Sequence, residues 1–169
     1  MVKQKEKIGL SARVIIIRGS KVLVVRQQKP NGRDVYILPG GGIKPNEDIF
    51  TAAEREVAEE SCLKIKVLRL LYLKELFSPN LHSFEFYVLG KVMGGKLDLG
   101  YDPELAKKRQ VLKQIVFVSI KALKKLRFYP QELRIKLEKD SRRKFKNIAV
   151  HLGVQRFTPK QYKRLFESK

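Results

Sequence analysis

The chain has 169 residues, with 37 Lys or Arg against 17 Asp or Glu and a net charge of +20. At 43% hydrophobic residues it can bury the core of one domain. No apolar run approaches the roughly eighteen residues of a membrane span, so no membrane partner is expected. The single cysteine excludes an internal disulfide framework and fits a reducing cytoplasm. The basic start lacks a small-residue cleavage site, so no secretion signal is expected. A positive field of this size attracts phosphates, nucleotides and nucleic acid. It equally describes a lysine-rich surface of the thermophile kind, and lysines scattered through most segments leave both readings open.

Residues 8–17 are β-branched and apolar and predict a strand. Gly19-Ser20 is a two-residue turn signal, and Lys21–Gln28 predicts the second arm of a hairpin. Lys29–Gly32 reads as a loop. Val35–Leu38 is a short strand leading into Pro39 and the glycines Gly40, Gly41 and Gly42. Asn46 stands where an N-cap belongs, with Glu47 and Asp48 in the first turn, where the helix dipole favours anions. No Gly or Pro interrupts Glu47–Cys62, which predicts a helix of about four turns. Ile49, Phe50, Ala53 and Val57 form its apolar stripe.

Lys64–Lys74 predicts a strand, Phe77–Asn80 a loop, and His82–Lys91 another strand. In the latter, Phe84, Phe86 and Val88 share one face, and Glu85 and Tyr87 the other. Glu85 either lines a ligand cleft or is an ion-paired surface residue. The two histidines, His82 and His151, are too far apart in sequence to support a histidine metal site. Gly94-Gly95 makes a turn. Val111–Val118 is the last strand, Ser119 caps a short helix, and Pro130 lies in the first turn of another. From Ser141 onward there are nine Lys or Arg and one acidic residue. Thr158-Pro159-Lys160-Gln161 carries a capping-box pattern and predicts a terminal basic helix, with Tyr162, Leu165 and Phe166 as anchors. Phe145, Phe157 and Tyr162 interleave with the basic residues, which suits either packing on the body or stacking of nucleic-acid bases. The expected organisation is a domain over 1–140 and a basic, helical extension over 141–169 packed on it.

The end of the Glu47–Cys62 helix carries the chemistry. Glu56, Glu59 and Glu60 are related by i,i+3 and i,i+4 steps, so their carboxylates crowd one face and repel. They also stand toward the C-terminal end, where the dipole disfavours negative charge. Six of the seventeen acidic residues fall between Glu47 and Glu60, in an otherwise basic chain. A solvated acidic face would look like this. So would a site for a hard divalent cation, Mg²⁺ or Mn²⁺, whose preferred ligands are clustered carboxylate oxygens.

The full run decides between them. Gly41, five residues, Glu47, seven residues and then Arg55-Glu56-Val57-Ala58-Glu59-Glu60-Ser61-Cys62-Leu63 resembles the signature of the Nudix hydrolases, G-x5-E-x7-R-E-U-x-E-E-x-G-U with U aliphatic. Every specified position matches except Cys62, where the family has Gly. Leu38–Gly42 is similar to the family's entry to this box, and weaker likeness covers roughly residues 8–138. The resemblance implies an α+β fold, a mixed β-sheet sandwiched between helices (an α/β/α sandwich). It implies a Mg²⁺- or Mn²⁺-dependent hydrolase acting on a nucleoside diphosphate linked to a further group. Glu56 and Glu60 would be primary metal ligands, Glu59 a ligand or the base, and Arg55 the group that orients a catalytic carboxylate. Glu47 would hold the loop–helix geometry, sometimes through metal, with Gly41 beside it in the metal set. The backbone of Gly40, Gly41 and Gly42 would shape the pocket floor, with Arg26 and Arg33 near its mouth as candidate phosphate contacts. In the loop Leu99–Leu105, Glu104 is the candidate for a further ligand or base, and Asp102 the second.

Substrate choice stays open at this stage. Pro79, sixteen residues past Leu63, weakly resembles a mark of ADP-ribose hydrolases; nucleoside triphosphates and dinucleoside polyphosphates are the other small-molecule substrates. The basic tail would suit action on RNA 5′ ends, and a non-catalytic binding module is a third reading, which the intact glutamates oppose. A homodimer is compatible with the likeness. Cys62 stands where a left-handed residue would follow the helix, at a cost on the order of 1 kcal/mol for a non-glycine.

Overall fold

The computed structural model describes residues 7–29, 32–101, 103, 111–146, 150–156 and 158–161. Eight strands build one mixed sheet: β1 (Lys7–Arg18), β2 (Lys21–Gln28), β3 (Asp34–Ile37), β4 (Gly40–Gly42), β5 (Leu63–Ser78), β6 (Leu81–Gly95), β7 (Leu112–Ser119) and β8 (Val150–Arg156). The order is β3-β2-β1-β6-β5-β8, with β4 also on β1 and β7 also on β2. Pairing is parallel for β1–β6 and β5–β8 and antiparallel for the rest. Helix α1 spans Ile49–Ser61 and α2 Leu133–Arg142, with a 3-10 helix over Ile120–Lys125.

Strand alternation sends successive side chains to opposite faces. On β1, Val14 and Ile16 join Ala52, Ala53 and Val57 of α1 in one core, while Ile15 joins Leu133, Leu137 and Phe128 in a second. The sheet therefore lies between α1 on one face and the 3-10 helix with α2 on the other, the sandwich that the resemblance implied.

Several local expectations change. The N-cap of α1 is Asp48, not Asn46: its carboxylate accepts the Phe50 and Thr51 N–H at 2.8 and 3.0 Å. Asn46 sits at φ 63 in the turn before, so Glu47 precedes the helix. Phe50 is 41% exposed, because a helix entered at Ile49 turns Ala52, Ala53 and Val57 inward instead. Ser119 makes no side-chain cap bond, and the segment it leads is a 3-10 helix. Helix α2 begins at Leu133, after a cis Tyr129–Pro130 bond. The β5–β6 hairpin is longer than its alternation suggested, 16 and 15 residues. Within the expected helical extension, Val150–Arg156 is a strand lying parallel to β5, and Phe145 is a core residue. The Thr158 capping box does form: Thr158 N–H donates to Gln161 Oε1 at 2.9 Å, and Gln161 N–H to Thr158 Oγ1 at 3.3 Å. Phe157, Tyr162, Leu165 and Phe166 lie outside the described residues. No helix among the described residues is long and apolar enough to cross a membrane.

Candidate active site

The site forms where β4 meets α1. Gly40, at φ 132, pairs with Arg13 of β1, and its N–H donates to Glu60 Oε2 at 2.9 Å. A Cβ there would stand 2.9 Å from Arg13 Cα and 3.0 Å from the Ala12 carbonyl carbon, so only glycine lets the two strands close. At Gly41 the missing Cβ leaves the space that the Glu56 carboxylate fills: a Cβ would lie 2.6 Å from its Cδ and 2.7 Å from Oε1. Gly40 and Gly41 thus bring Glu60 and Glu56, one helical turn apart, against adjacent residues of β4.

Arg55 holds the rest together. Its Nε and Nη2 donate to the two Glu47 oxygens at 2.7 and 2.8 Å, and Nη2 also donates to the Gly42 carbonyl at 3.0 Å. Nη1 donates to Glu56 Oε1 at 2.7 Å and to Glu59 Oε2 at 3.2 Å. Arg55 thus touches three carboxylates and the glycine loop at once. The forked bond from Arg55 holds the Glu47 carboxyl at a pKa of about 2, down from 4.5. The same partners raise the Arg55 pKa further. Burial acts oppositely at Glu56: it raises the pKa, with Arg55 only partly offsetting the desolvation. The last carbonyls of α1 are satisfied by the approaching loop, with the N–H groups of Asp98, Gly100 and Tyr101 donating to Ser61, Glu60 and Glu59 at 3.1, 2.9 and 3.1 Å. That loop leads to Asp102 and Glu104, which lie outside the described residues. Cys62 closes the helix in the left-handed conformation, φ 57 and ψ 12, as its position required.

The donor set suits Mg²⁺ or Mn²⁺: hard carboxylate oxygens, two of them on buried side chains. Ionised Glu56 carries a burial cost that a cation would offset. The carboxylates are not gathered into a cage, however. Among the described residues no three His, Cys, Asp or Glu side chains converge on one point. Arg55 stands between Glu56 and Glu59, and both Glu47 oxygens are turned to it.

Arg13, which donates to the Gly40 carbonyl, also lines a cavity of about 140 Å³. Val35, Ile37, Leu38, Tyr87, Phe128 and Tyr129 give it an apolar and aromatic lining, and Arg13, Lys29, Arg127 and Arg134 supply cations. Glu85 lines it too, with Oε2 accepting from Tyr87 OH at 2.6 Å and Oε1 3.9 Å from Arg13 Nε, so it both faces the cavity and has an ion-pair partner. Burial and the charge of Glu85 raise the Tyr129 pKa; burial and Arg13 lower that of Lys29. Arg26 and Arg33 do not line the cavity. Arg26 is bound to Asp34 at 2.8 Å across the β2–β3 pair, and Arg33 is exposed. Arg13 was the residue missed by sequence reasoning. Its signal was there: a single charge in the apolar run Ala12–Ile17.

With this geometry in place, comparison with known proteins gives the family. A model of the NUDIX domain matches residues 7–140. The chain belongs to the NUDIX family. The likeness read from the Gly41–Leu63 run is thereby confirmed. An ADP-ribose pyrophosphatase of Methanocaldococcus jannaschii is 30% identical over 94 residues, 54% of this chain and 56% of that protein. The human diphosphoinositol polyphosphate phosphohydrolase 3-beta is 40% identical over 72 residues, 43% of each chain. This NUDIX chain thus matches only about half the length of these relatives. Among solved structures, the E. coli ORF135 protein superposes with a TM-score of 0.67 at 15% identity, covering 84% of this chain and 95% of that one. An ADP-ribose pyrophosphatase from Streptococcus suis superposes at 0.60 with 19% identity, covering 85% and 97%. At such identities these superpositions speak for the NUDIX fold alone.

Proposed function

We propose that this NUDIX protein hydrolyses a pyrophosphate linkage in a nucleoside diphosphate derivative, with Mg²⁺ or Mn²⁺ as cofactor. The observation that carries this reading is the seating of Glu56 and Glu60 on Gly41 and Gly40, joined through Arg13 to a cavity with an aromatic lining and cationic side chains. Glu56 and Glu60 would hold the cation, which when bound neutralises phosphate charge and acidifies a water molecule. Family membership and the M. jannaschii relative support a pyrophosphate substrate.

The chain's own groups have distinct tasks. Arg55 holds Glu47 with a fork and Glu56 with its remaining edge, so the helix and the glycine loop keep one relative position. Glu60 is fixed by the Gly40 N–H. Glu59, whose side chain is 25% exposed and whose bond to Arg55 is the longest of the set, is the carboxylate best able to accept a proton from water. Glu104 is a second candidate for that base. The cavity takes the group on one side of the scissile linkage: its apolar lining suits a base or sugar, and its cations the adjoining phosphate.

The test is Glu56→Gln, assayed for Mg²⁺-dependent release of phosphate or mononucleotide from a panel of ADP-ribose, nucleoside triphosphates, dinucleoside polyphosphates and 5′-triphosphorylated RNA. Turnover should fall by at least a hundredfold with the unfolding midpoint retained; unchanged turnover would sink the assignment. The panel also separates small nucleotides from RNA ends. Deleting 141–169 cannot make that separation, because it would remove core residue Phe145 and strand β8.

A further inference from the structure

Arg13 belongs to two places at once. Its Nη1 donates to the Gly40 carbonyl, and its backbone is the strand partner of the same residue. The preceding peptide is held as well, by Val14 N–H donating to the Pro39 carbonyl at 2.8 Å. Both peptides that meet at Gly40 are therefore clamped from the β1 side. From the other side the glycine loop receives the two carboxylates, Glu60 on the Gly40 N–H and Glu56 in the space over Gly41. The Nε edge of Arg13 looks the opposite way, into the cavity, 3.9 Å from Glu85 Oε1. That distance is outside hydrogen-bond range, and Glu85 Oε2 is engaged by Tyr87 OH, so Arg13 is held chiefly by the glycine loop and only loosely by Glu85.

We propose that Arg13 is a positioning residue: it fixes Gly40, whose N–H holds Glu60 and whose neighbour Gly41 makes room for Glu56, and through the same guanidinium it links a phosphate held in the cavity to the placement of those carboxylates. A purely structural cation would need only the Glu85 partner. A purely substrate-binding one would have no reason to hold the Gly40 carbonyl. The inference rests on the reading of Glu56 and Glu60 as metal-holding groups, since second-layer contacts of this kind set ligand orientation and typically change metal affinity by about ten- to a hundredfold when removed.

The experiment compares the full-length wild type with Arg13→Gln and Arg13→Lys. Mn²⁺ affinity is titrated without substrate, kcat and KM are measured on the best substrate of the panel above, and thermal unfolding is followed in parallel. Arg13→Gln should weaken Mn²⁺ binding and lower kcat, each at least tenfold. Arg13→Lys, whose ammonium can still donate to the Gly40 carbonyl, should recover part of both. If only KM rises and Mn²⁺ affinity stays at the wild-type value, Arg13 merely binds substrate and the proposal is overturned. If Arg13→Gln does not fold, Arg13→Lys carries the test: a folded Arg13→Lys with weakened Mn²⁺ binding and lowered kcat supports the proposal, and one with wild-type Mn²⁺ affinity overturns it. A wild type that cleaves nothing on the panel defeats the hydrolase reading, while a Mn²⁺ affinity that still depends on Arg13 keeps the positioning role.

Discussion

Alanine at Gly41 is the sharpest probe of how the site is built. The added Cβ would lie 2.6 Å from Glu56 Cδ and 2.7 Å from Oε1, where ordinary contact begins at 3.4 Å. Oε2 would lie closer still, so the Glu56 carboxylate must withdraw by roughly 1 Å, a shift that in a catalytic site costs on the order of a hundredfold in rate. That corresponds to about 2.7 kcal/mol of barrier. Stability should not follow. Gly41 is not among the residues with positive φ, and the clashing atoms are the far end of a side chain that can move. Alanine also reduces the freedom of the unfolded chain, a gain of about 0.4–1 kcal/mol where the backbone tolerates it. Gly40→Ala is the control, because its Cβ meets backbone atoms of Ala12 and Arg13 and its φ of 132 is closed to alanine. Mg²⁺-dependent turnover and thermal unfolding, measured on both variants, separate the cases. Gly41→Ala should lose about a hundredfold in turnover and stay stable, and Gly40→Ala should be destabilised. A Gly41→Ala protein within threefold of wild-type turnover, or one that melts as early as Gly40→Ala, would refute the idea that this space is kept for Glu56.

Three further outcomes follow from the same contacts. Glu47 titrates at about 2 in the folded chain against 4.5 unperturbed, chiefly through Arg55, so its contribution to stability is present above pH 4.5 and is lost as pH falls toward 2; acid titration of Glu47→Gln should show a shallower loss over that window. Cys62→Gly relieves a left-handed non-glycine residue at φ 57 and should raise stability in denaturant by up to about 1 kcal/mol, with activity retained. Tyr72→Phe removes the donor that Asp140 accepts at 2.7 Å in the second core, leaving a buried acceptor unpaired; a loss of about 1–3 kcal/mol in urea unfolding is expected, and no loss would mean that water replaces the hydroxyl.

How much of this was legible in the sequence depends on the range of the interaction. Helix α1 and the strands around it follow from local pattern, and the Gly41–Leu63 run named the carboxylates before any fold was known. The N-cap was misplaced by two residues because Asn46 and Asp48 are both capping residues, and only the chain's entry angle, with Asn46 at φ 63, selects Asp48. Strand β8 was hidden for a different reason. Val150–Arg156 acquires its structure by parallel pairing with β5, more than seventy residues earlier, and local pattern carries no trace of a partner so distant. The cavity is more distant still from local reading: β1, β2, β3, β6 and the segment before α2 each contribute side chains. Arg26 and Arg33 were chosen as phosphate contacts because they flank the glycines in sequence, whereas Arg13, nearly thirty residues before Gly41, is the arginine that strand pairing delivers there.

The electrostatics of the cluster explain why Arg55 and a divalent cation are complementary rather than alternatives. Glu47, Glu56, Glu59 and Glu60 bring four carboxylates, and Arg55 brings one guanidinium already engaged with three of them. The fork to Glu47 consumes the strongest part of that interaction and fixes the loop to the helix. What Arg55 offers to Glu56 and Glu59 is one shared nitrogen, enough to orient them and too little to neutralise them. Burial meanwhile pushes Glu56 toward its protonated form. The cluster therefore retains an excess of negative charge in a chain of net charge +20, and the cost of keeping Glu56 ionised falls only when further positive charge arrives. A metal titration followed by proton release would read this directly. Mn²⁺ binding should expel protons at a pH just above the ordinary carboxylate range, and Glu56→Gln should abolish that release; release that persists in Glu56→Gln would place the titrating group elsewhere.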